Sequence, residues 1–419
     1  MQPLITVSEA ETLIQKSLSS ASVESIPLGQ ALGRYLRQDI SSDRPLPPFD
    51  RVMMDGIAIK HATFSAGNTT FPIASTQAAG ASAIELADPN TCIEVMTGGV
   101  LPAGTDCVIP VELIDVLDGA AHLKPNTQPA RDQHIHRRGT DTLAGQTLLT
   151  SGQLLQAPEL TIAASCGATT LQVSALPRIL VLSTGDELVA PEETPLPHQI
   201  RRSHATALHA AITGRHLGHV DTQHVSDDPT ELKSALATAL TTHDILVITG
   251  GVSRGKYDYV APILKELLGA PLFHGVAQRP GKPLAFWSHG GEECKRSIRA
   301  DDGLLAEQEE CKRSIFALPG NPVSVMACTA RYLLPALTTI LSGTPPEKTT
   351  LPASGAFNCP PHFTTLSPCH LINGQLKLIP PCNSGNFLSL TGTHGIAELP
   401  GKLTRKTLLN EPATFYAWA

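Results

Sequence analysis

The sequence predicts an α/β multidomain chain: one domain on a mainly parallel sheet, a β-rich lobe, a helical linking domain in two separated segments, and a small C-terminal β domain. Three observations support this. A length of 419 residues exceeds what a single hydrophobic core usually serves, so several domains are expected. The runs RILVLSTGDE (178–187) and DILVITGGVS (244–253) are continuously apolar and end in glycine-containing loops, as strands buried on both faces of a parallel sheet do. Finally, 34 prolines and 33 glycines against 4% aromatic residues imply many turns between short elements rather than one large helical body.

The elements follow in order. Residues 1–44 and 137–176 are expected to form the discontinuous helical linking domain, with Ser8 and Glu11 as a capping box and a second helical stretch near APELTIAASCG. RPLPPFD interrupts any helix. Residues 45–136 alternate short apolar runs (CIEVM, CVIPVELI, AHLKP) with Gly, Pro and Asn turns, the pattern of the β-rich lobe. Residues 177–346 carry the two buried strands, and between them SHATALHAAITGRHLG reads as a helix with Gly218 as its C-cap. Asp228 and Pro229 suit the N-cap and first turn of the next helix, with Glu231 close behind. Strand, helix, helix and strand in this order favour a parallel sheet whose ligand binds at the strands' carboxyl ends. Residues 347–419 read as the C-terminal β domain.

Composition narrows the function classes. A net charge of −7 gives no basic face for a nucleic-acid partner. The start MQPLITVSEAETLI lacks a basic n-region, and no run reaches eighteen consecutive apolar residues, so a cytoplasmic, non-membrane protein is expected. Nine cysteines without any CxxC pair read as reduced packing thiols, and the even spacing of Cys294, Cys311 and Cys328 lacks the paired ligands of zinc modules.

Four loops place Gly and Pro where a backbone turns tightly or approaches a ligand. They are STGDE (183–187) with Gly185, TGGVSRGKYDY (249–259) with Gly250, Gly251 and Ser253, RPGKP (Arg279, Pro280, Gly281, Lys282, Pro283), and LPGNPVS with Pro319, Gly320, Asn321, Pro322 and Ser324. The first two follow strands, so their N–H groups can face an anion. Arg279 and Lys282 add positive charge. Asp55, Asp186, Glu187, Asp227, Asp228 and Asp258 supply carboxylates. Anion-cradling loops beside several carboxylates call for a divalent cation between them, and magnesium bridging phosphates fits best.

FDRVMMDGIA, VMTGGVLPAGTDCVI, RRGTDTLAGQ, VLSTGDEL, DDP, TGGVSRGKYDYV, RPGKPLAF and LPGNPVS occur here in the order seen in the MoeA family, the molybdopterin molybdenumtransferases, also represented by the E domain of gephyrin. The resemblance spans about residues 7 to 400. It implies a four-domain subunit forming a homodimer, with the site on a MogA-like α/β domain and facing the partner's β lobe. Adenylyl-molybdopterin and molybdate would be the substrates, magnesium (Mg2+) the cofactor, and AMP the leaving product, with a MogA-type adenylyltransferase as the supplier of substrate. By motif, Asp55 and Thr97 would approach the site from the β lobe, Glu187 and Asp258 would hold magnesium or polar substrate groups, and Asp227 would assist. Gly250, Gly251 and Ser253 would cradle phosphate or pterin, Lys282 and Ser324 would hold molybdate, and Ser384 keeps the family's SG element. A helix N-cap explains Asp228 without a catalytic role. Where the family usually has Asn after GQI, this chain has His204, and in the tail CPPHFTTLSP offers only His362 in place of a basic stretch. Two other readings of the same motifs are the preceding adenylylation of molybdopterin and a catalytically weak scaffold of this fold.

EECKRSI occurs twice, at 292–298 and 309–315. Only the second copy runs into FALPGNP, so the first copy reads as part of a tandem duplication in an exposed polar loop, with the second forming the strand before the PGNP loop.

Overall fold

A computed structural model describes residues 4–252, 258–290, 312–356, 362–380, 383–401 and 407–418. By contacts the chain divides into two compact units, one of Met1–Arg37, Ser151–Gln156 and Thr170–Ala419, the other of Gln38–Thr150 and Ala157–Thr169.

In the first unit the two apolar runs are neighbouring parallel strands. With β1 as Arg178–Thr184, β2 as His219–Val225, β3 as Ile245–Thr249, β4 as Phe273–His274, β5 as Ala285–His289 and β6 as Arg313–Leu318, the sheet order is β2-β1-β3-β6-β5-β4. The first four are parallel, and the β6–β5 and β5–β4 pairings are antiparallel. Ile179 and Val181 pack on one face with residues of the helices Val7–Ser17 and Leu334–Ser342, whereas Leu180 and Leu182 pack on the other with Leu232, Leu236 and Leu264. Both faces are covered, which is why these strands show no polar alternation. Each fully buried Leu or Ile contributes roughly 1.5–3 kcal/mol. Strand order reverses at β1 and β3, where open parallel sheets bind ligands outside the strand ends.

The local signals hold with three corrections. The helix Pro229–Thr242 starts as expected, because the Asp228 carboxylate accepts from the N–H groups of Thr230 and Glu231 at 2.8 and 2.9 Å. The preceding helix, His204–Thr213, ends at Gly214 and not Gly218, since Gly214 weakens helix propagation and His216 then turns the chain at a positive φ of 54°. The N-terminal capping box is Thr6 with Glu9, not Ser8 with Glu11: Thr6 N–H donates to Glu9 Oε2 at 2.7 Å and Glu9 N–H donates to Thr6 Oγ1 at 3.2 Å. TVSE and SEAE both fit the motif, and burial of Val7, Ala10 and Ile14 selects the first. Glu11 instead pairs with Arg331 and Lys348. Third, among the described residues of the first forty the only α-helix is Val7–Ser17, with one 3-10 turn at Leu28–Gln30; Val23–Pro27 is a strand pairing antiparallel with Thr170–Ser174. Pro27 and Gly29 disfavour a longer α-helix there, and only the 3-10 turn Leu28–Gln30 forms.

After β6 comes the stretch Pro322–Ser342, long and apolar enough to cross a membrane by composition, yet 72% buried inside the protein. The C-terminal strands Thr349–Ala356, Thr364–Ile372, Gln375–Leu378, Gly395–Leu399 and Thr407–Ala417 close on themselves, because Thr364–Ile372 pairs with both Gln375–Leu378 and Gly395–Leu399. This is a small barrel. Gln278–Arg279 adds a short parallel pairing to Thr364–Thr365.

The second unit holds a six-stranded sheet in which Gly56–Ile59 lies between Cys92–Val95 and Cys107–Pro110. Its core is Ile57, Ile59, Phe71 and Ile109 on one side and Ala58, Ile93 and Val108 on the other. The second EECKRSI copy enters β6, which pairs with β5 and β3; the first copy, Cys294 and Cys311 lie outside the described residues.

Candidate functional site

A cleft of about 1180 Å³ opens at the carboxyl ends of β1, β3 and β6 and is closed on one side by the C-terminal barrel. Thr184 and Gly185 follow from β1, Gly250 and Gly251 from β3, and Pro319 and Gly320 from β6. The strands bring together loops that are distant in sequence.

Three carboxylates line the cleft: Glu187, Asp227 and Asp258. Thr184 Oγ1 donates to Asp227 Oδ1 at 2.8 Å, and the Asp227 N–H donates to Asp186 Oδ1 at 3.0 Å, so Asp227 is held from both sides. Glu187 folds back over Gly185: a Cβ on that glycine, which has φ +141°, would lie 2.5 Å from Glu187 Oε2. Any other residue there would displace the carboxylate. Two imidazoles fix the glycine loops by donating to backbone carbonyls at 3.0 Å, His224 Nε2 to Gly185 and His274 Nε2 to Val252.

Arg279, Pro280, Gly281, Lys282 and Pro283 form the facing wall, and the Lys282 ammonium lies 5.9 Å from the Phe363 ring centroid. Asn321 precedes the helix that Pro322 opens without capping it by its side chain; its Nδ2 donates to Ser384 Oγ at 3.0 Å while Val323 N–H donates to the Ser384 carbonyl at 3.1 Å. The 318–324 loop is thereby tied to the barrel. Ser324, 3% exposed, lines the floor.

Of the candidates expected from sequence, Gly185, Glu187, Asp227, Gly250, Gly251, Asp258, the whole 279–283 loop, Pro319, Gly320, Asn321, Ser324 and Ser384 line this one cleft. Pro322 serves by opening the helix beside it. Ser253 lies outside the described residues. Asp55 and Thr97 belong to the other compact unit, where Thr97 N–H and Oγ1 both donate to Asp55 Oδ1 at 2.6 and 2.7 Å. Those bonds, the backbone one foremost, hold the Asp55 carboxyl below its ordinary range.

Sequence reasoning missed Thr184, Gln278, Phe363, Thr365, Ser367 and Asn383, which also line the cleft. Thr184, Gln278 and Asn383 adjoin residues that were singled out, and Phe363, Thr365 and Ser367 lie in the CPPHFTTLSP stretch, where no residue but His362 was considered.

Among the described residues no group of three or more His, Cys, Asp or Glu is arranged to hold a metal ion unaided. Glu187, Asp227 and Asp258 all line the cleft without forming such a group. The described cysteines are unpaired, and burial pushes the thiols of Cys92, Cys107, Cys328 and Cys369 up to about 12, as inert packing residues require.

Residues 5–167 match the family described as MoeA N-terminal region (domain I and II), and residues 180–339 match the probable molybdopterin binding domain. The chain is 32% identical over 418 residues to the molybdopterin molybdenumtransferase of Synechocystis sp., covering 99% of this chain and 100% of that protein. It is 29% identical over 346 residues to molybdopterin molybdenumtransferase 2 of Mycobacterium tuberculosis, covering 79% and 78% of the two chains. In fold it is similar to the molybdopterin biosynthesis moeA protein of Pyrococcus horikoshii OT3, with a TM-score of 0.79 at 22% identity over 99% of this chain and 100% of that one.

Proposed function

The chain belongs to the MoeA family of molybdopterin molybdenumtransferases, and from that membership we propose that its cleft takes adenylylated molybdopterin and molybdate and releases AMP as molybdenum is inserted. The observation that supports this reading best is the meeting, among the described residues, of four glycine- and proline-rich loops with three carboxylates and two cations in one cleft at the sheet's switch point.

Backbone N–H groups around Gly250 and Gly251 offer neutral, directed donors to phosphate oxygens without the desolvation cost of a buried charge. Lys282 and Arg279 supply the compensating positive charge for a molybdate or phosphate oxyanion, and Ser324 and Asn321 supply short polar contacts that fix its orientation. Asp227, restrained by Thr184 and Asp186, is placed to orient a water or substrate hydroxyl. Glu187 and Asp258 would hold Mg2+, which when bound offsets the charge of the phosphoanhydride. We further propose a homodimer in which Asp55 and Thr97 of one protomer serve the cleft of its partner, with a MogA-type adenylyltransferase handing over the adenylylated substrate.

Incubating the purified chain with adenylylated molybdopterin, molybdate and magnesium should release AMP. Asp258→Ala should abolish that release while the dimer mass persists in light scattering. ATP consumption with pyrophosphate release in the presence of molybdopterin, without molybdate, would instead favour an adenylyltransferase.

A further inference from the structure

Beneath the 279–283 loop lies a buried polar group that the proposed chemistry does not use. Gln278 is 0% exposed, Tyr332 2% and Cys328 0%. Gln278 Nε2 donates to the Gly281 carbonyl at 3.2 Å and contacts Cys328 Sγ at 3.4 Å, while its Oε1 accepts from the Tyr332 hydroxyl. Gly281 rests directly on this group: it has φ +91°, and a Cβ there would lie 2.6 Å from Cys328 Sγ and 2.7 Å from Gln278 Nε2.

The support reaches further. The backbone of Gln278 and Arg279 pairs with Thr364 and Thr365 of the barrel. Tyr332 sits on a π-helical turn, Thr329–Leu333, that buries Arg331 and Tyr332 side by side, Arg331 being taken by Glu11 and Glu398. Such turns interrupt helices mostly where a side chain must be aimed. An apolar pair would fill the volume between helix and loop equally well, but only an amide can grip the Gly281 carbonyl while its other end is held.

We propose that Tyr332 and Gln278 are positioning residues that set the 279–283 loop and so aim Arg279 and Lys282 at the bound oxyanion. Tyr332 orients the amide, and the amide holds the loop carbonyl. The proposal rests on the reading of the cleft given under Proposed function.

The test compares thermal midpoint and steady-state AMP release for the full chain and four variants. Tyr332→Phe leaves Gln278 Oε1 buried and unpaired, so both midpoint and kcat/KM should fall. Gln278→Met with Tyr332→Phe removes both partners with little change in volume, so the midpoint should recover toward wild type, whereas kcat/KM should stay down by about tenfold, the scale of a misplaced binding group. Lys282→Ala alone should lower kcat/KM, and adding it to the Tyr332→Phe, Gln278→Met pair should cost less than the product of the separate losses. Recovery of kcat/KM together with the midpoint would mean a purely structural role and would overturn the proposal. So would losses that multiply fully with Lys282→Ala. An unaffected Lys282→Ala would overturn the reading of the cleft itself, a failure distinct from the other two.

Discussion

Thr97 closes on Asp55 through two hydrogen bonds to a single carboxylate oxygen, from its N–H at 2.6 Å and from its hydroxyl at 2.7 Å, although the two residues are 42 positions apart. The MDG and MTG motifs are therefore one device. Gly56, next to Asp55, permits the close approach of the neighbouring strand Cys107–Pro110: a Cβ there would lie 2.0 Å from the Ile109 carbonyl oxygen.

Because hydrogen bonds favour the ionised form, Asp55 titrates below an unperturbed carboxyl. A depressed folded value stabilises the protein above the unfolded pKa of about 3.9, and that contribution is lost as pH falls through the folded value. Thr97→Val keeps the N–H bond and removes the hydroxyl bond. Its Asp55 should titrate higher than in wild type and still below the ordinary value, as followed by carboxyl carbon NMR. An unchanged titration would show that the hydroxyl does nothing.

Asp227 and Asp228 are adjacent and should behave oppositely. Asp228→Ala removes a helix cap and should cost about 1 kcal/mol in urea denaturation with kcat/KM preserved. Asp227→Asn keeps an acceptor for the Thr184 hydroxyl, so it should cost no more than about 1 kcal/mol of stability, and depress AMP release. Reversed effects would misassign the pair.

Arg331 is 2% exposed, lies between Glu11 and Glu398, and is flanked by the rings of Tyr332 and Tyr416 at 5.1 and 4.8 Å. Glu398→Ala should cost roughly 3 kcal/mol, because it leaves a buried charge short of a partner. A chemical-denaturation loss below about 1 kcal/mol would mean that Glu11 alone suffices.

Deleting Glu292 to Gln308 leaves one EECKRSI copy leading into Arg313–Leu318, the strand that pairs with both Ala285–His289 and Ile245–Thr249. Folding and AMP release should persist. Loss of cooperative unfolding in the shortened chain would sink the duplication reading.

The sequence by itself determined the parallel strands, because burial on both faces leaves unbroken apolar runs, and it determined the loops of the cleft, because only Gly and Pro suit such turns. Its local helix signals were readable at Asp228 and ambiguous at the N-terminus, where two overlapping capping boxes fit and only the packing of Val7, Ala10 and Ile14 chose between them. The tertiary structure alone decided that Gln278 and Tyr332, 54 positions apart, share a hydrogen bond under the 279–283 loop, and that Ser384 anchors Asn321. Such contacts join residues with no shared periodicity or spacing. They arise from how strands and barrel bring distant segments together, and a linear pattern carries no record of that.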